Sequence, residues 1–407
     1  MGPRKPEIEY INLELVGECN SAAIPGADLA LTEALKNAKK LADGALTKGP
    51  YSITKDKKDP HVAASGDIHD FLSYAPYWWP SDKNDGTYIR KDGKRNPDVS
   101  LLQDQSQLEG LAEQLLYLCL GYRLYRKDEY ADRAVYLLDV FFVDPHTKMN
   151  PNVDYGQVVR GSNYSLGGRP DGIIGTRTLA QVANVIPILF DFPGYQRIAN
   201  PISMWFQNYG QWLLTSDLGQ QAAARKNNHN SWYLVQLVMV LSTFGLPTTL
   251  GTPPLPPVID ALRHFIHSTL PQQIDMKTGD QPLESGRTRP FHYLVFNLQA
   301  LIYIAQWMHH QQLKQSGADS LFRCQDIHDY LTKAVDYLVS YDTKKTNEDP
   351  TEAIRCVQQM KLRREKTMGS QDILVKQQQR FVDMTKAGDV EGRFSGPKNT
   401  IYWLWSR

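Results

Sequence analysis

The sequence of 407 residues has no segment typical of a membrane protein. No apolar run approaches the roughly 20 residues that a helix needs to span a bilayer. The first residues, MGPRKPEIEYINLELVGECN, do not show the basic-then-apolar order of a signal peptide. We therefore expect no association with a membrane, and a secreted chain whose leader has been removed agrees with this start.

An excess of charge is also absent, since Lys and Arg number 45 and Asp and Glu number 44. Nucleic-acid binders usually carry excess positive charge, because they neutralise many phosphates at once. The balance therefore argues against nucleic acid as a partner. An anionic ligand would have to be held by a local group of basic side chains.

Cysteine is scarce. The four residues are widely separated and show neither CxxC nor metal-ligand spacing: Cys19, Cys119, Cys324 and Cys356. We interpret them as ordinary thiols. A disulfide, like glycosylation at the Asn163-Tyr164-Ser165 sequon, is expected only if the protein is extracellular.

The alternation typical of strands is scarce, whereas the apolar spacing of helices recurs along most of the chain. Apolar residues from Ala27 to Ala42 form the first stripe, with Lys and Asn on the other face. Comparable stripes predict helices at residues 108–119, 131–142, 179–189, 198–216, 230–244, 257–270, 290–310 and 325–341. Pro187 should end or kink its helix. The sequence therefore predicts an all-α fold.

The helices follow one another without a tetratricopeptide or HEAT repeat, which argues against a simple open array. We expect an (α/α) toroid, an incomplete barrel of helical hairpins whose long loops gather at one end and line a cleft. Residues 1–407 are expected to form a single domain. Residues 343–407 should form a polar extension, docked on the domain by the aromatic run Ile401–Trp405.

Two polar segments, residues 49–100 and 144–172, are far longer than ordinary connections between helices. Flat aromatic faces suit sugar rings, although most aromatic residues of the chain are expected in the core. The side chains of these segments that we expect to contact a substrate are Tyr77, Trp78, Trp79, Arg90, Tyr155 and Gln157. Both segments are predicted to form walls of the cleft.

The segment KNNHNSWY, residues 226–233, places three Asn around one His directly before an apolar helix. An Asn at such a junction can simply cap the helix. Capping accounts for one residue, but not for Asn227, Asn228 and His229 together. The segment is therefore a candidate for chemistry.

The segment QPLESGRTRPFHY, residues 281–293, opens another apolar helix, with Pro290 at a typical first position. Arg287 and Arg289 closely precede His292 and Tyr293. Tyr293 either faces a cleft beside these arginines or packs in the core with the arginines on the surface. The segment alone leaves both alternatives open.

Together the two segments supply what β-elimination of a uronate needs. An Arg can grip the C6 carboxylate, and an Asn can bond the charge that develops on it. His229 and Tyr293 can move protons. Because the ordinary pKa of Tyr is about 10, Tyr293 would need Arg287 or Arg289, with a positively charged or donor His229, to favour the phenolate.

Three segments resemble the alginate lyase superfamily of polysaccharide lyases: DFLSYAPYWWP at residues 70–80, Asn227-Asn228-His229 with Trp232-Tyr233, and Glu284–Arg287 with His292-Tyr293. The resemblance runs from about residue 60 to 340. It is closer to the branch of glucuronan and alginate lyases than to the periplasmic alginate lyases of alginate-producing bacteria.

The resemblance implies a toroid with a deep cleft, no metal or other cofactor, and an acidic polysaccharide as substrate for a monomeric enzyme. Asn228 and His229 match the family's Asn-His pair, and Tyr293 matches its catalytic Tyr. The Leu-Glu-x-x-Arg context favours Arg287 over Arg289 as the catalytic Arg. The substrate-binding residues that we expect are Asn227, Arg289, His292, Tyr77, Trp78, Trp79, Arg90, Tyr155, Gln157 and Trp232.

The branch accepts polymannuronate, polyguluronate or β-1,4-glucuronan. In manno- and gluco-configured sugars the C5 hydrogen and the C4 oxygen lie on the same side, so one Tyr could serve both as base and as acid. We therefore expect cleavage of glucuronan or polymannuronate, with Asn228, His229 and Arg287 neutralising the C6 carboxylate.

Three other readings compete. A metal site is suggested by His61, Asp67, His69 and Asp70, but their spacing matches no standard pattern, and structural hydrogen bonding is expected instead. A glycoside hydrolase would need paired carboxylates, and Asp280 and Glu284 form no recognisable pair. A carbohydrate-binding protein without activity would not need Asn, His, Arg and Tyr together.

Overall fold

We describe the protein from a computed structural model, which covers residues 7–19, 29–58, 60–83, 85–161, 167–247, 256–314, 324–367 and 397–406. The predicted sequon at residues 163–165, the side chain of Cys324 and residues 368–396 of the predicted extension lie outside the described part. Within it, no single helix is long and apolar enough to span a membrane; the bent pair Pro170–Thr176 and Thr178–Leu189 reaches the length and apolar composition only when both parts are taken together, as helices of a protein core also can.

Helices form most of the structure. The α-helices are α1 (Leu13–Glu18), α2 (Leu29–Ala45), α3 (Asp104–Tyr125), α4 (Asp128–Leu138), α5 (Thr178–Val185), α6 (Gln196–Thr215), α7 (Asp217–Ala223), α8 (Asn228–Phe244), α9 (Pro256–His264), α10 (Leu270–Gln273), α11 (Pro282–Ser285), α12 (Pro290–Lys314), α13 (Cys324–Ser340), α14 (Thr343–Thr346), α15 (Ile354–Thr367), α16 (Pro397–Thr400) and α17 (Trp403–Ser406). Two π turns, Asp139–Val143 and Phe265–Thr269, follow α4 and α9. The 3-10 turns are Pro97–Leu101, Pro170–Thr176, Ile186–Leu189, Pro193–Tyr195 and Pro350–Ala353.

The helices predicted from apolar spacing are all present, with ends shifted by a few residues. The predicted break at Pro187 is also found, because α5 ends at Val185 and a 3-10 turn, Ile186–Leu189, takes over. A proline has no backbone N–H for the α-helical hydrogen bond, so the helix cannot continue unchanged.

The helices pack in the order of the chain. Helix α3 packs against α2, α4 and α5, and α5 in turn packs against α8. Helix α8 also contacts α6 and α12, and α12 contacts α13 and α15. Residues 230–241 of α8 are all buried, as expected for a helix with neighbours on every side.

The two ends of the described chain meet. Helices α16 and α17 pack against α2, and α17 also contacts α1. The carboxylate of Glu9 accepts hydrogen bonds from Arg355 and from the indole N–H of Trp405. These contacts hold the aromatic C-terminal run against the first helices.

Four short strands lie in the two long segments that were predicted as loops: β1 (Leu72–Tyr74), β2 (Trp78–Pro80), β3 (Tyr88–Arg90) and β4 (Tyr155–Val158). Strands β1 and β4 pair in parallel, and β2 and β3 form an antiparallel pair. With three or four residues each, they are too short to show alternation in the sequence.

Hydrogen bonds join the two long segments to each other. They involve three of the residues first considered as metal ligands. The amide of Asn150 donates to the carboxylates of Asp67, at 3.0 Å, and Asp70, at 2.8 Å. The Nδ1 atom of His69 lies 2.6 Å from the carbonyl oxygen of Lys148. Asp67, His69 and Asp70 therefore take part in hydrogen bonds that join the two segments.

Two glycines allow β4 and the following 3-10 turn to touch backbone to backbone. A Cβ atom added at Gly172 would lie 2.4 Å from the carbonyl group of Gly156, which is closer than real Cβ contacts come. The amide of Arg169 donates to the carbonyl oxygen of Gly156 at 2.8 Å, which fixes the turn against the strand.

We expect Gly172→Ala to lower the free energy of unfolding by about 1–3 kcal/mol, because the backbone of Gly156 cannot move aside as a side chain could. Urea unfolding at pH 7 would measure the change. The matched control is Gly44→Ala in α2, where an added Cβ meets nothing within 4 Å. The control should keep or raise stability, by up to about 1 kcal/mol; equal stability of both variants would contradict the close packing.

Candidate active site

The N-terminus of α8 positions Asn228 and His229. Asn227 is the N-cap, and its side-chain oxygen accepts a hydrogen bond from the amide of His229 at 3.3 Å. Asn227, which was predicted to bind substrate, therefore caps α8. Asn228 and His229 follow as the first two residues of the helix.

Asn228 is buried and held by the carboxylate of Glu284 on α11. Its side-chain amide donates to Oε1 and Oε2 at 2.7 and 2.8 Å, and its backbone amide donates to Oε1 at 2.7 Å. Burial raises the pKa of Glu284 above its ordinary value, although Asn228 and the charge of Arg287 oppose this. The carboxylate fixes the orientation of the Asn228 amide.

A buried polar network ties together the three segments that carry the candidate residues. The amide of Asn297 on α12 donates to the side-chain oxygens of Gln273, at 3.0 Å, and Gln281, at 2.8 Å. The amide of Gln273 reaches the carbonyl oxygen of Asn227 at 3.3 Å. The network therefore links the start of α8, the segment before α11 and the first turns of α12.

Tyr293, in the first turns of α12, lies between an arginine and a second tyrosine. The guanidinium carbon of Arg287 lies 3.9 Å from the centre of the Tyr293 ring. The hydroxyl of Tyr77, from the first long segment, hydrogen-bonds the Tyr293 hydroxyl at 2.7 Å. The sequence left open whether Tyr293 lies beside the arginines or packs in the core. The structure has features of both, because Tyr293 is buried and its ring contacts Arg287.

Burial raises the pKa of Tyr293 well above its ordinary value, and the hydroxyl of Tyr77 adds to this. Arg287 lowers the pKa, as expected from its positive charge, but does not outweigh burial. The expectation that nearby arginines favour the phenolate is therefore right in direction, while the resting Tyr293 is protonated.

Arg287 grips a carboxylate. Its Nε and Nη2 atoms donate to the two oxygens of Asp92 at 3.2 and 2.9 Å. Asp92 follows β3, and the adjacent Gly93, with a φ of +72°, leaves no room for a Cβ atom against Thr288. The segment around β2 and β3 therefore contacts Arg287 directly.

His229 lies among charged groups. Its Nε2 atom is 3.2 Å from Oδ1 of Asp171, whose other oxygen pairs with Arg169 at 3.0 Å. Burial and the positive charges of Arg225, Arg287 and Arg169 lower the pKa of His229 to about 4, although Asp171 opposes them. His229 is therefore neutral near pH 7.

The remaining predicted substrate-binding residues occupy varied positions. The ring of Trp78 lies beneath the guanidinium of Arg169 at 5.6 Å, and the indole N–H of Trp79 donates to the carbonyl oxygen of Lys94. Arg90 is exposed and pairs with Asp92 at 3.0 Å.

The two predicted residues of β4, Tyr155 and Gln157, are half-buried. Gln157 has a φ of 52° and donates through its side-chain amide to the carbonyl oxygen of Asp171 at 3.0 Å. Its observed contact is with the backbone that carries Asp171.

The prediction that Trp232 contacts substrate is wrong. Its side chain is 1% exposed, and its indole N–H donates to the carbonyl oxygen of Phe296 at 3.2 Å. Helix α8 is covered by α5, α6 and α12, so an aromatic residue one turn into the helix packs in the core.

Arg289 and His292 both contact Glu352. His292 Nδ1 lies 2.7 Å from its carboxylate, and Arg289, which is half-exposed, lies 3.4 Å from it. Glu348 accepts hydrogen bonds from the amides of Phe291 and His292, and so satisfies the N-terminus of α12. Of the two arginines, Arg287 is the one whose side chain contacts the ring of Tyr293.

Three residues of the site were not predicted from the sequence: Asp92, Glu348 and Glu352. Asp92 lies in the polar run KDGK, which indicates only a turn. Its partner Arg287 is 195 residues away in sequence, so no local pattern could reveal the contact. Among the described residues, no group of three or more His, Cys, Asp or Glu side chains could hold a metal ion.

The three cysteines with described side chains, Cys19, Cys119 and Cys356, are buried thiols. No disulfide joins any two of these three residues.

The chain is similar to known proteins in sequence and in fold. A family model described as alginate lyase matches residues 55–350, which is more than half of the chain. An alginate lyase from Bacteroides ovatus has a similar solved structure, with a TM-score of 0.77 and 24% sequence identity over 98% of each chain. The search of curated proteins found no match.

The contact between Asp92 and Arg287 predicts a pH-dependent stability. The hydrogen bond from Arg287 is the main reason that the pKa of Asp92 falls from 3.8 to about 2. The stabilisation is therefore fully present above about pH 4 and is lost as the pH falls towards 2.

We expect Asp92→Asn to lower the free energy of unfolding by about 1–2 kcal/mol at pH 7, a range reduced for partial exposure to solvent. Urea unfolding at pH 7, 5 and 3 should show this difference shrinking only at the lowest pH. Asp260→Asn, which removes an exposed ion pair at 3.9 Å, is the control and should change stability by less than about 0.5 kcal/mol. A pH-independent loss in Asp92→Asn would contradict the assignment.

Proposed function

Because the chain belongs to the alginate lyase family of polysaccharide lyases, we propose that it cleaves a 1,4-linked polyuronate by β-elimination at Asn228, His229, Arg287 and Tyr293. The substrates that we infer are β-1,4-glucuronan and polymannuronate. In both, one group can reach the C5 hydrogen and the C4 oxygen from the same side of the ring.

One observation carries the proposal: the guanidinium of Arg287 grips a carboxylate while it stacks on the ring of Tyr293. The carboxylate of Asp92 shows that this guanidinium is oriented for bidentate binding. A uronate has its C6 carboxylate one bond from the C5 carbon whose proton must be removed. An arginine that binds the carboxylate therefore brings the C5 proton close to Tyr293.

In the proposed reaction, Tyr293 as phenolate takes the C5 proton, and the electrons of the C5–H bond form the C4=C5 double bond. The bond from C4 to the glycosidic oxygen breaks, and Tyr293 returns the proton to that oxygen. Arg287 stabilises the charge that gathers on the C6 carboxylate, and Asn228, buried and bound to Glu284, holds the start of α8 in place beside it. His229 lies beside them, and its part is treated in the next subsection.

We also infer an (α/α) toroid. The observed order of neighbouring helices, from α2 through α3, α5 and α8 to α12, supports an incomplete barrel, and so does the return of α16 and α17 to α2. On the same grounds we propose one domain that includes the C-terminal extension. We propose that the protein is a monomer and that it acts on this polymer outside the cell.

The carboxylates near the site do not favour a hydrolase. Glu284 is bound by Asn228, Asp92 by Arg287, and Asp171 lies between His229 and Arg169. An inverting or retaining hydrolase needs one carboxyl group as acid and another as base or nucleophile. The family favours the lyase over the hydrolase and over a binding protein without activity.

The first test follows the ultraviolet absorbance of the C4=C5 bond while the protein acts on glucuronan, polymannuronate and polyguluronate. We expect a rise on glucuronan or polymannuronate, and a loss of kcat of about 10²- to 10⁴-fold in Tyr293→Phe. The control is Tyr136→Phe, which changes an exposed tyrosine of α4 and should keep full activity.

Reducing ends that appear without the absorbance would indicate hydrolysis and overturn the proposal. Absence of both signals on all three polymers would also count against it.

The raised pKa of Tyr293 predicts how activity depends on pH. If the phenolate of the free enzyme is the base, its fraction grows with pH, so kcat/KM should rise about tenfold per pH unit from pH 6 to at least pH 9. Tyr77→Phe removes a hydroxyl that raises this pKa, so its profile should be displaced to lower pH. A flat wild-type profile, or identical profiles for the two proteins, would show that another group is the base.

A further inference from the structure

Asp171 contacts His229 from a separate segment of the chain. One carboxylate oxygen lies 3.2 Å from His229 Nε2, and the other lies 3.0 Å from a guanidinium nitrogen of Arg169. The second ring nitrogen of His229, Nδ1, is buried and has no hydrogen-bond partner among the described residues. The two nitrogens of His229 therefore have very different surroundings.

The backbone around Asp171 is closely fixed. Gly172 and Gly156 touch, which is possible only without side chains. Gln157 adopts a φ of 52° and donates to the carbonyl oxygen of Asp171 at 3.0 Å, and the amide of Gly172 donates to the carbonyl oxygen of Arg169 at 2.8 Å. A carboxylate held in this way can restrict the ring that it contacts.

The charges around the pair decide its protonation. Burial raises the pKa of Asp171, but His229, Arg169 and Arg225 outweigh burial and keep the pKa below its ordinary value. The groups that influence the pKa of His229 are Asp171, Arg225, Arg287 and Arg169, and the pKa is lowered. Both shifts favour an ionised carboxylate beside a neutral imidazole.

A neutral imidazole carries one proton, and an ionised carboxylate can only accept a hydrogen bond. The nitrogen that faces Asp171, Nε2, must therefore hold the proton, which leaves a lone pair on Nδ1.

We propose that Asp171 is a positioning residue that holds His229 as the tautomer with its proton on Nε2 and a hydrogen-bond acceptor at Nδ1. Its role in turnover rests on the proposed function. In that reaction His229 stays a neutral imidazole in a fixed orientation and does not donate to the C6 carboxylate. Neutralisation of the carboxylate is left to Arg287.

The first experiment needs no substrate. Protein labelled with 15N-histidine is studied by long-range 1H–15N correlation at pH 7, and His229→Gln identifies the signals of His229. We expect neutral His229 with its proton on Nε2. In Asp171→Asn the amide can also donate to Nε2, so the tautomer protonated on Nδ1 should become populated.

The second experiment measures kcat and KM for the same variants on the polymer that the wild type cleaves. We expect kcat of Asp171→Asn to fall about tenfold or more, with KM changed by less than about threefold, because the residue orients another group. The matched control is Asp154→Asn, whose carboxylate accepts a hydrogen bond from the Trp212 indole at 2.9 Å. Thermal unfolding shows whether each variant is folded.

The proposal is overturned if wild-type His229 is charged at pH 7 or holds its proton on Nδ1. It is also overturned if Asp171→Asn changes neither the tautomer nor kcat. If no polymer yields an unsaturated product, the proposed function fails, whereas the spectra still decide whether Asp171 fixes the tautomer.

Discussion

The site depends on the burial of one carboxylate, that of Glu284. A buried carboxylate is costly unless hydrogen bonds replace its water, and here Asn228 supplies three of them. This need joins the start of α8 to α11, two segments that are 56 residues apart in sequence. Arg287 and Tyr293 follow α11 closely, so their distance from His229 is set by the same contact.

The same arrangement recurs around the site. The candidate groups come from segments that begin helices or precede them, where amides and positive ends of helix dipoles gather. Three of the four groups are matched by an acidic residue from elsewhere: Glu284 for Asn228, Asp92 for Arg287 and Asp171 for His229. Tyr293 is bound by Tyr77 instead. The orientation of these groups is therefore fixed in the free protein.

Much of the helical framework was predictable, because amphipathic stripes and prolines are local features of the sequence. The group of Asn228, His229, Arg287 and Tyr293 was predicted from two short segments together with a family resemblance, and the structure places these residues near one another. The position of Trp232 was predicted wrongly, because over a few residues the sequence of a helix buried on all sides is similar to that of a helix that borders a cleft. Asp92 could not be found, since its significance comes from Arg287, far along the chain.

The contact of Glu9 with the end of the chain has a consequence for biosynthesis. Its partners Arg355 and Trp405 lie 346 and 396 residues later. During translation Glu9 therefore lacks these contacts until Arg355 and Trp405 have been made. Contacts of such long range form late and slowly, because the intervening chain must be ordered first. Trp405 must thus leave the ribosome before Glu9 can bind it.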